Sequence, residues 1–150
     1  MAGGNSGTGG VASAAAEAMI TGIDSSVLWA IFNDEPEAEA WSLKLLDASR
    51  AGELVICEVV LAEIAPAFDT GKQALDTLER LGIRFDGVTP HTAFEAGRIF
   101  KSYRDEGGPR RHLIPDFLIG AHALYQCNGL AAVDRGYLRR YFPTVTLLAP

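Results

Sequence analysis

The sequence predicts an α/β domain built on a mostly parallel sheet, and three observations predict it. From Met19 onward, short apolar runs alternate with longer helix-like segments. The runs, such as ITGI and LVIC, are continuous, as strands buried on both faces require. The segments between them are long enough to be βαβ crossovers covering both faces of the sheet.

The first eighteen residues, MAGGNSGTGGVASAAAEA, are rich in glycine and small residues and carry one charge. Their composition reads as a flexible low-complexity tail, and they lack the basic start of a secretory or transit peptide. Met19 opens the first strand and is a candidate translation start, so the folded domain is expected over 19–150. ITGID at 20–24 is a first strand ending in Asp24, and Ser25 and Ser26 open a helix with a hydroxyl cap. Residues 36–50 begin with Pro36 and acids and end with Lys44 and Arg50, an order that suits a helix dipole. Gly52 breaks that helix. LVIC at 54–57 is a second strand, and 58–68 a helix disturbed by Pro66. Residues 71–81 form another helix, stopped by Gly82, and IRFDGV at 83–88 a third strand. A long amphipathic helix covers 90–105, followed by the basic loop PRRHL. The helix over 114–127 has Pro115 in its first turn. LAAVD at 130–134 and VTLL at 145–148 complete the sheet.

At 150 residues the chain has the size of one domain. A chain this long buries roughly 68–70% of its unfolded surface, so it folds without disulfides or a structural metal. Hydrophobic residues make up 48% of it, which excludes global disorder. No apolar run approaches the ~18 residues of a membrane helix. The two cysteines, Cys57 and Cys127, show no CxxC or Cys/His spacing and point to a reduced, cytoplasmic protein. The net charge of −6 argues against a general nucleic-acid binder. Its distribution is uneven: residues 1–75 hold 3 basic and 11 acidic side chains, and residues 76–150 hold 10 and 8. The C-terminal half can therefore present a basic face.

Four acids stand out. Asp24 and Asp134 each end an apolar strand, and in an open parallel sheet ligands bind outside the carboxyl ends of the strands. Either alone reads equally as a helix cap or turn residue. Asp116 sits in the first turn of an otherwise apolar helix, where the dipole favours an acid in any case. Glu63 falls between Val59 and Ala67 around its helix, on or beside the packed face, where a lone carboxylate is costly. A buried pair with an arginine is the alternative for it. Four carboxylates in one cleft repel each other unless a cation neutralises them. All-oxygen donors suit Mg²⁺ or Mn²⁺. The chemistry this favours is metal-assisted hydrolysis of a phosphodiester.

The segments IDSSVL with Asp24, CEVVLAEI with Glu63, IPDFLIGAHAL with Asp116 and LAAVDRGYLRRYFP with Asp134 resemble, in this order and spacing, the PIN-domain nucleases. Among those they resemble the VapC-type toxins of type II toxin–antitoxin pairs, over about residues 20–148. The resemblance implies a three-layer α/β/α sandwich with a mostly parallel sheet of four or five strands. It implies a Mg²⁺- or Mn²⁺-dependent endoribonuclease whose catalytic, metal-holding acids are Asp24, Glu63 and Asp116, with Asp134 as the fourth. Ser25 or Ser26 would order the site by hydrogen bonding. An antitoxin partner, inserting a basic side chain into the acidic pocket, and a homodimer are also implied. The glycine-rich tail is foreign to the pattern.

In the mechanism this suggests, water activated by one or two metal ions attacks the phosphorus. No side-chain nucleophile or general-base histidine is needed, and His122, about 120° around its helix from Asp116, reads as a packing or capping residue. Lys101, Arg104, Arg110, Arg111 and His112 before Asp116, and Arg135, Arg139 and Arg140 after Asp134, are either a solvated surface or contacts to RNA phosphates. Trp29, Phe32 and Trp41 are core residues or the wall of a partner groove. Two other readings stay open: a housekeeping RNA-processing nuclease without an antitoxin, and an inactive binding module. A phosphoaccepting receiver is disfavoured, since no strand ends in the lysine such a pocket uses.

Overall fold

The computed structural model describes residues 18–109, 112–133 and 136–150. Its elements run β1 (Met19–Ile23), α1 (Ser25–Phe32), α2 (Ala38–Ala51), β2 (Gly52–Ile56), α3 (Glu58–Ile64), a 3-10 turn (Ala65–Ala67), α4 (Gly71–Arg80), β3 (Ile83–Phe85), α5 (Pro90–Asp105), α6 (Ile114–Gln126), β4 (Gly129–Ala131), α7 (Tyr137–Tyr141) and β5 (Leu147–Leu148). The strands form one sheet in the order β3-β2-β1-β4-β5, with every pairing parallel. The expected α/β fold with a five-stranded parallel sheet is therefore what the chain adopts. Of the expected tail, residues 1–17 lie outside the described residues.

The continuous apolar runs are explained by burial on both faces. Leu54, Val55 and Ile56 are consecutive in β2, so they point to alternate faces, yet none is more than 4% exposed. Helix α2 packs on β1 and β2, α6 packs on β1 and β4, and α5 lies along α6. β1 is the central strand, with Thr21 opposite Leu54 on one side and Gly129 on the other.

Local chemistry sets the boundaries, and several differ from the sequence reading. Gly52 opens β2 rather than merely breaking α2. A Cβ there would lie 2.0 Å from the Met19 carbonyl oxygen, so only glycine lets the start of β1 come this close. The expected helix over 58–68 stops at Ile64 and tightens into the 3-10 turn around Pro66, which has no N–H to continue the ladder. Thr70 caps α4 through its hydroxyl, 3.1 Å from the Gln73 N–H, and Thr89 caps α5 through the Thr92 N–H at 3.2 Å. The third, fourth and fifth strands are shorter than expected, at three, three and two residues. Helix α7 has only five residues, too few to show a helical period in sequence.

Of the three aromatic residues expected in the core, Trp41 is fully buried, and Trp29 and Phe32 are half-buried. Phe117 and Phe142 are as fully buried as Trp41, and Tyr103 and Tyr137 are buried as well. Phe142 lies across Gly120 in α6, where a Cβ would stand 2.4 Å from the ring. The ring is 1% exposed and cannot swing into solvent. Gly120→Ala should therefore overpack this contact and cost about 1–3 kcal/mol. The check is the urea midpoint, and an unchanged midpoint would contradict the packing described.

Candidate functional site

The site is built from the carboxyl end of β1. The Asp24 N–H donates to the Ala131 carbonyl at 2.9 Å, the last rung between β1 and β4. Beyond that rung the chain turns into α1, and Asp24 is its N-cap. The cap expected to be a hydroxyl is thus a carboxylate: Asp24 Oδ2 accepts from the Ser26 N–H at 3.2 Å and also from the Ser26 hydroxyl. Ser26 Oγ in turn accepts from the Val133 N–H at 3.3 Å, tying α1 to the segment that leads toward position 134. Ser25, the neighbouring hydroxyl, donates to Glu63 Oε1 at 2.9 Å. Each serine therefore serves one acid: Ser26 orders Asp24, and Ser25 orders Glu63.

Glu63 does not sit in the packed face. It is exposed, next to the fully buried Ile64 at the end of α3. The two-turn helix points Val60 and Ile64 inward and leaves Glu63 at the rim, within reach of α1. This removes the desolvation cost raised for it and the need for a buried arginine partner.

Asp116 is the third residue of α6 and is half-buried. Its Oδ2 accepts from the Leu113 N–H at 3.1 Å, and its own N–H donates to the Leu113 carbonyl at 3.0 Å, a reciprocal closure of the helix start. Helix α6 packs against β1, β4 and α3, the elements that carry or adjoin Asp24 and Glu63. Among the described residues, no group of three or more His, Cys, Asp and Glu side chains stands ready to hold a metal. Asp134, Arg135, Arg110 and Arg111 lie outside the described residues.

The basic run is less available than its sequence suggests. Lys101 pairs with Asp105 at 2.6 Å, and Arg140 with Glu106 at 3.3 Å. His112 is not part of any surface: it is 7% exposed, in a nest of aromatic rings. Arg104 and Arg139 are exposed.

A polar network that sequence reasoning missed surrounds His122. This residue is 3% exposed, and its Nε2 is 2.8 Å from Asp86 Oδ2, so it is a buried partner of a carboxylate rather than a packing or capping residue. Gln126 Nε2 donates to the same Asp86 oxygen at 3.1 Å and to the Gly87 carbonyl at 2.9 Å. Arg84 stands 3.5 Å from Asp86 and 3.1 Å from Glu53. Asp86 directly follows β3, as Asp24 follows β1, so the strand-end signal was present in IRFDGV. Its bonds tie β3 to α6 instead of opening toward a ligand. Burial and the Asp86 charge push the nearby Cys127 thiol up to about 12, and burial raises Cys57 as well, so both are neutral thiols near pH 7. Asp86→Ala should leave the His122 nitrogen buried without its partner, at a cost of about 1–3 kcal/mol. Chemical denaturation would measure it, and a neutral effect would show the pair to be incidental.

A family model described as PIN domain matches residues 23–143. The fold is shared with solved chains that resemble this one only distantly in sequence. A chain of VapBC2 from Rickettsia felis, bound to a DNA fragment from their promoter, aligns with TM-score 0.69 and 18% identity, covering 87% of this chain and 98% of that one. A chain of VapBC-1 from nontypeable Haemophilus influenzae gives 0.65 and 16%, with 87% and 97% covered. A chain of FitAcB from Neisseria gonorrhoeae gives 0.56 and 18%, again with 87% and 97% covered. No curated protein matches the chain in sequence.

Proposed function

The chain belongs to the PIN-domain family, and from that membership we propose that it is a metal-dependent endoribonuclease, the toxin of a VapC-type toxin–antitoxin pair. The observation that carries this reading is the serine-ordered pair of acids at the carboxyl end of the central strand. Asp24 is fixed by Ser26 and Glu63 by Ser25, with Asp116 at the head of the helix packed beside them.

The donor set is all oxygen, which fits a hard divalent ion. Asp24, Glu63 and Asp116, with Asp134, would hold Mg²⁺ or Mn²⁺. When bound, such an ion supplies Lewis-acid neutralisation of charge on the phosphodiester and on the attacking water. The protein's own contribution is order. Each serine hydroxyl donates its hydrogen to a carboxylate oxygen, and the two acids are brought within one residue of each other along α1. Asp116 stands in the first turn of α6, at the positive end of the helix dipole. In this reading Arg110, Arg111 and Arg135 contact the RNA phosphates.

An apolar cleft of about 270 Å³ lies among α1, α2 and β3, lined by Leu28, Phe32, Leu45, Leu46, Leu81 and Ile83. We assign it to the antitoxin, because the similar chains come from VapBC and FitAcB assemblies. A second copy of the chain completes the proposed assembly. The described residues include no helix long and apolar enough to cross a membrane.

The test is cleavage of a defined RNA. Excess EDTA should abolish it and Mn²⁺ restore it, and Asp24→Asn or Asp116→Asn should each lower the rate by about a hundredfold or more. Cleavage that persists undiminished in EDTA would sink the proposal. Expression of the chain alone should arrest growth, and co-expression with the antitoxin should relieve the arrest. An RNA-cleaving chain with no effect on growth would instead be an RNA-processing nuclease.

A further inference from the structure

His112 carries an unexplained feature. Its side chain is 9% exposed, and its Nδ1 is buried with no hydrogen-bond partner. Buried polar atoms are nearly always paired, and an exception calls for a reason. Its surroundings show that the ring is placed rather than accommodated. It lies tilted on Tyr137, with centroids 4.3 Å apart, and edge-on to Tyr103 at 5.9 Å. Tyr103 is itself anchored through its hydroxyl to the Pro109 carbonyl, and Phe117 packs behind both tyrosines. Three helices, α5, α6 and α7, thus contribute rings to one sleeve.

The sleeve points Nδ1 at one carboxylate. Asp116 Oδ2 is 3.7 Å away, just beyond hydrogen-bond reach. The same oxygen already accepts from the Leu113 N–H. A neutral imidazole with its proton on Nδ1 would add a second donor to Oδ2 after a small rotation of the carboxylate, leaving Oδ1 to face the cleft. A backbone donor and a ring donor on one oxygen would fix the plane of the carboxyl group, which a single bond does not.

We propose that His112 is a positioning residue for Asp116, its Nδ1–H closing on Oδ2 in the folded protein. The role in metal binding rests on the nuclease reading above; the contact itself does not. Supporting groups of this kind change metal affinity or activity by about 10- to 100-fold when removed.

Three variants separate the contact from mere packing. His112→Phe fills the sleeve without a donor. His112→Asn returns an N–H near the Nδ1 position. His112→Gln places its amide near the Nε2 position instead. Mn²⁺ binding is followed by calorimetry, RNA cleavage as kcat and KM, and folding by urea titration. The expected result is a Phe variant that stays folded but binds Mn²⁺ about tenfold more weakly. Its kcat falls in parallel and its KM is little changed; Asn recovers most of the loss, and Gln does not. Equal losses in Asn and Phe, or no loss in Phe, would overturn the proposal.

A double-mutant cycle of His112→Phe with Asp116→Asn, read on the unfolding equilibrium without metal, tests the contact independently. Coupling should change that equilibrium constant by at least about twofold beyond the product of the single effects. Additive effects would overturn the proposal even in an active nuclease. Coupling in a protein inert toward Mn²⁺ and RNA would leave the contact standing and remove the nuclease reading.

Discussion

The ladder that binds β1 to β2 on one side and to β4 on the other decides where any functional side chain can go. β1 is the one strand in the middle of the sheet, and its last rung, Asp24 N–H to the Ala131 carbonyl, marks where regular pairing stops. Past that rung the backbone has no strand left to bond, and it turns into a helix whose first N–H groups need acceptors. Asp24 supplies one, so the same carboxylate ends a strand and caps a helix. Helix capping and a functional acid are not competing explanations for this residue. The cap itself orders the carboxylate.

Each of the three acids is met by a neighbour that donates a hydrogen. Ser26 serves Asp24, Ser25 serves Glu63, and the Leu113 N–H serves Asp116. Such an arrangement keeps the carboxylates ordered. Elsewhere, Lys101 pairs with Asp105, and Arg84 with Glu53 and Asp86.

The two buried histidines show how alike residues take unlike roles. His122 is satisfied: Asp86 holds its Nε2, and the pair joins the end of β3 to the middle of α6. His112 is unsatisfied at Nδ1 and held by aromatic rings in front of Asp116. His122 lies within α6 and secures its centre, whereas His112 precedes α6 and approaches its acidic head.

The alternation of continuous apolar runs with helix-length segments was enough to specify a parallel α/β sheet, because burial on both faces leaves no polar side to alternate with. The order of Asp24, Glu63 and Asp116 along the chain was equally legible, since strand ends and a helix start are local events. Element lengths were not: β4 stops at Ala131 because its neighbour does, and α7 is too short to carry a period. Nor could a sequence assign Ser25 to Glu63 and Ser26 to Asp24, since that depends on where α3 lies against α1. Glu63 read as lying on or beside the packed face from its helical angle alone, and it is exposed, with Val60 and Ile64 the residues that α3 buries. His112 read as part of a basic run and His122 as a packing or capping residue, until packing surrounded one with aromatic rings and set the other against Asp86. Local hydrogen bonding and hydrophobic period are written along the chain, whereas contacts between segments tens of residues apart exist only once the sheet has brought them together.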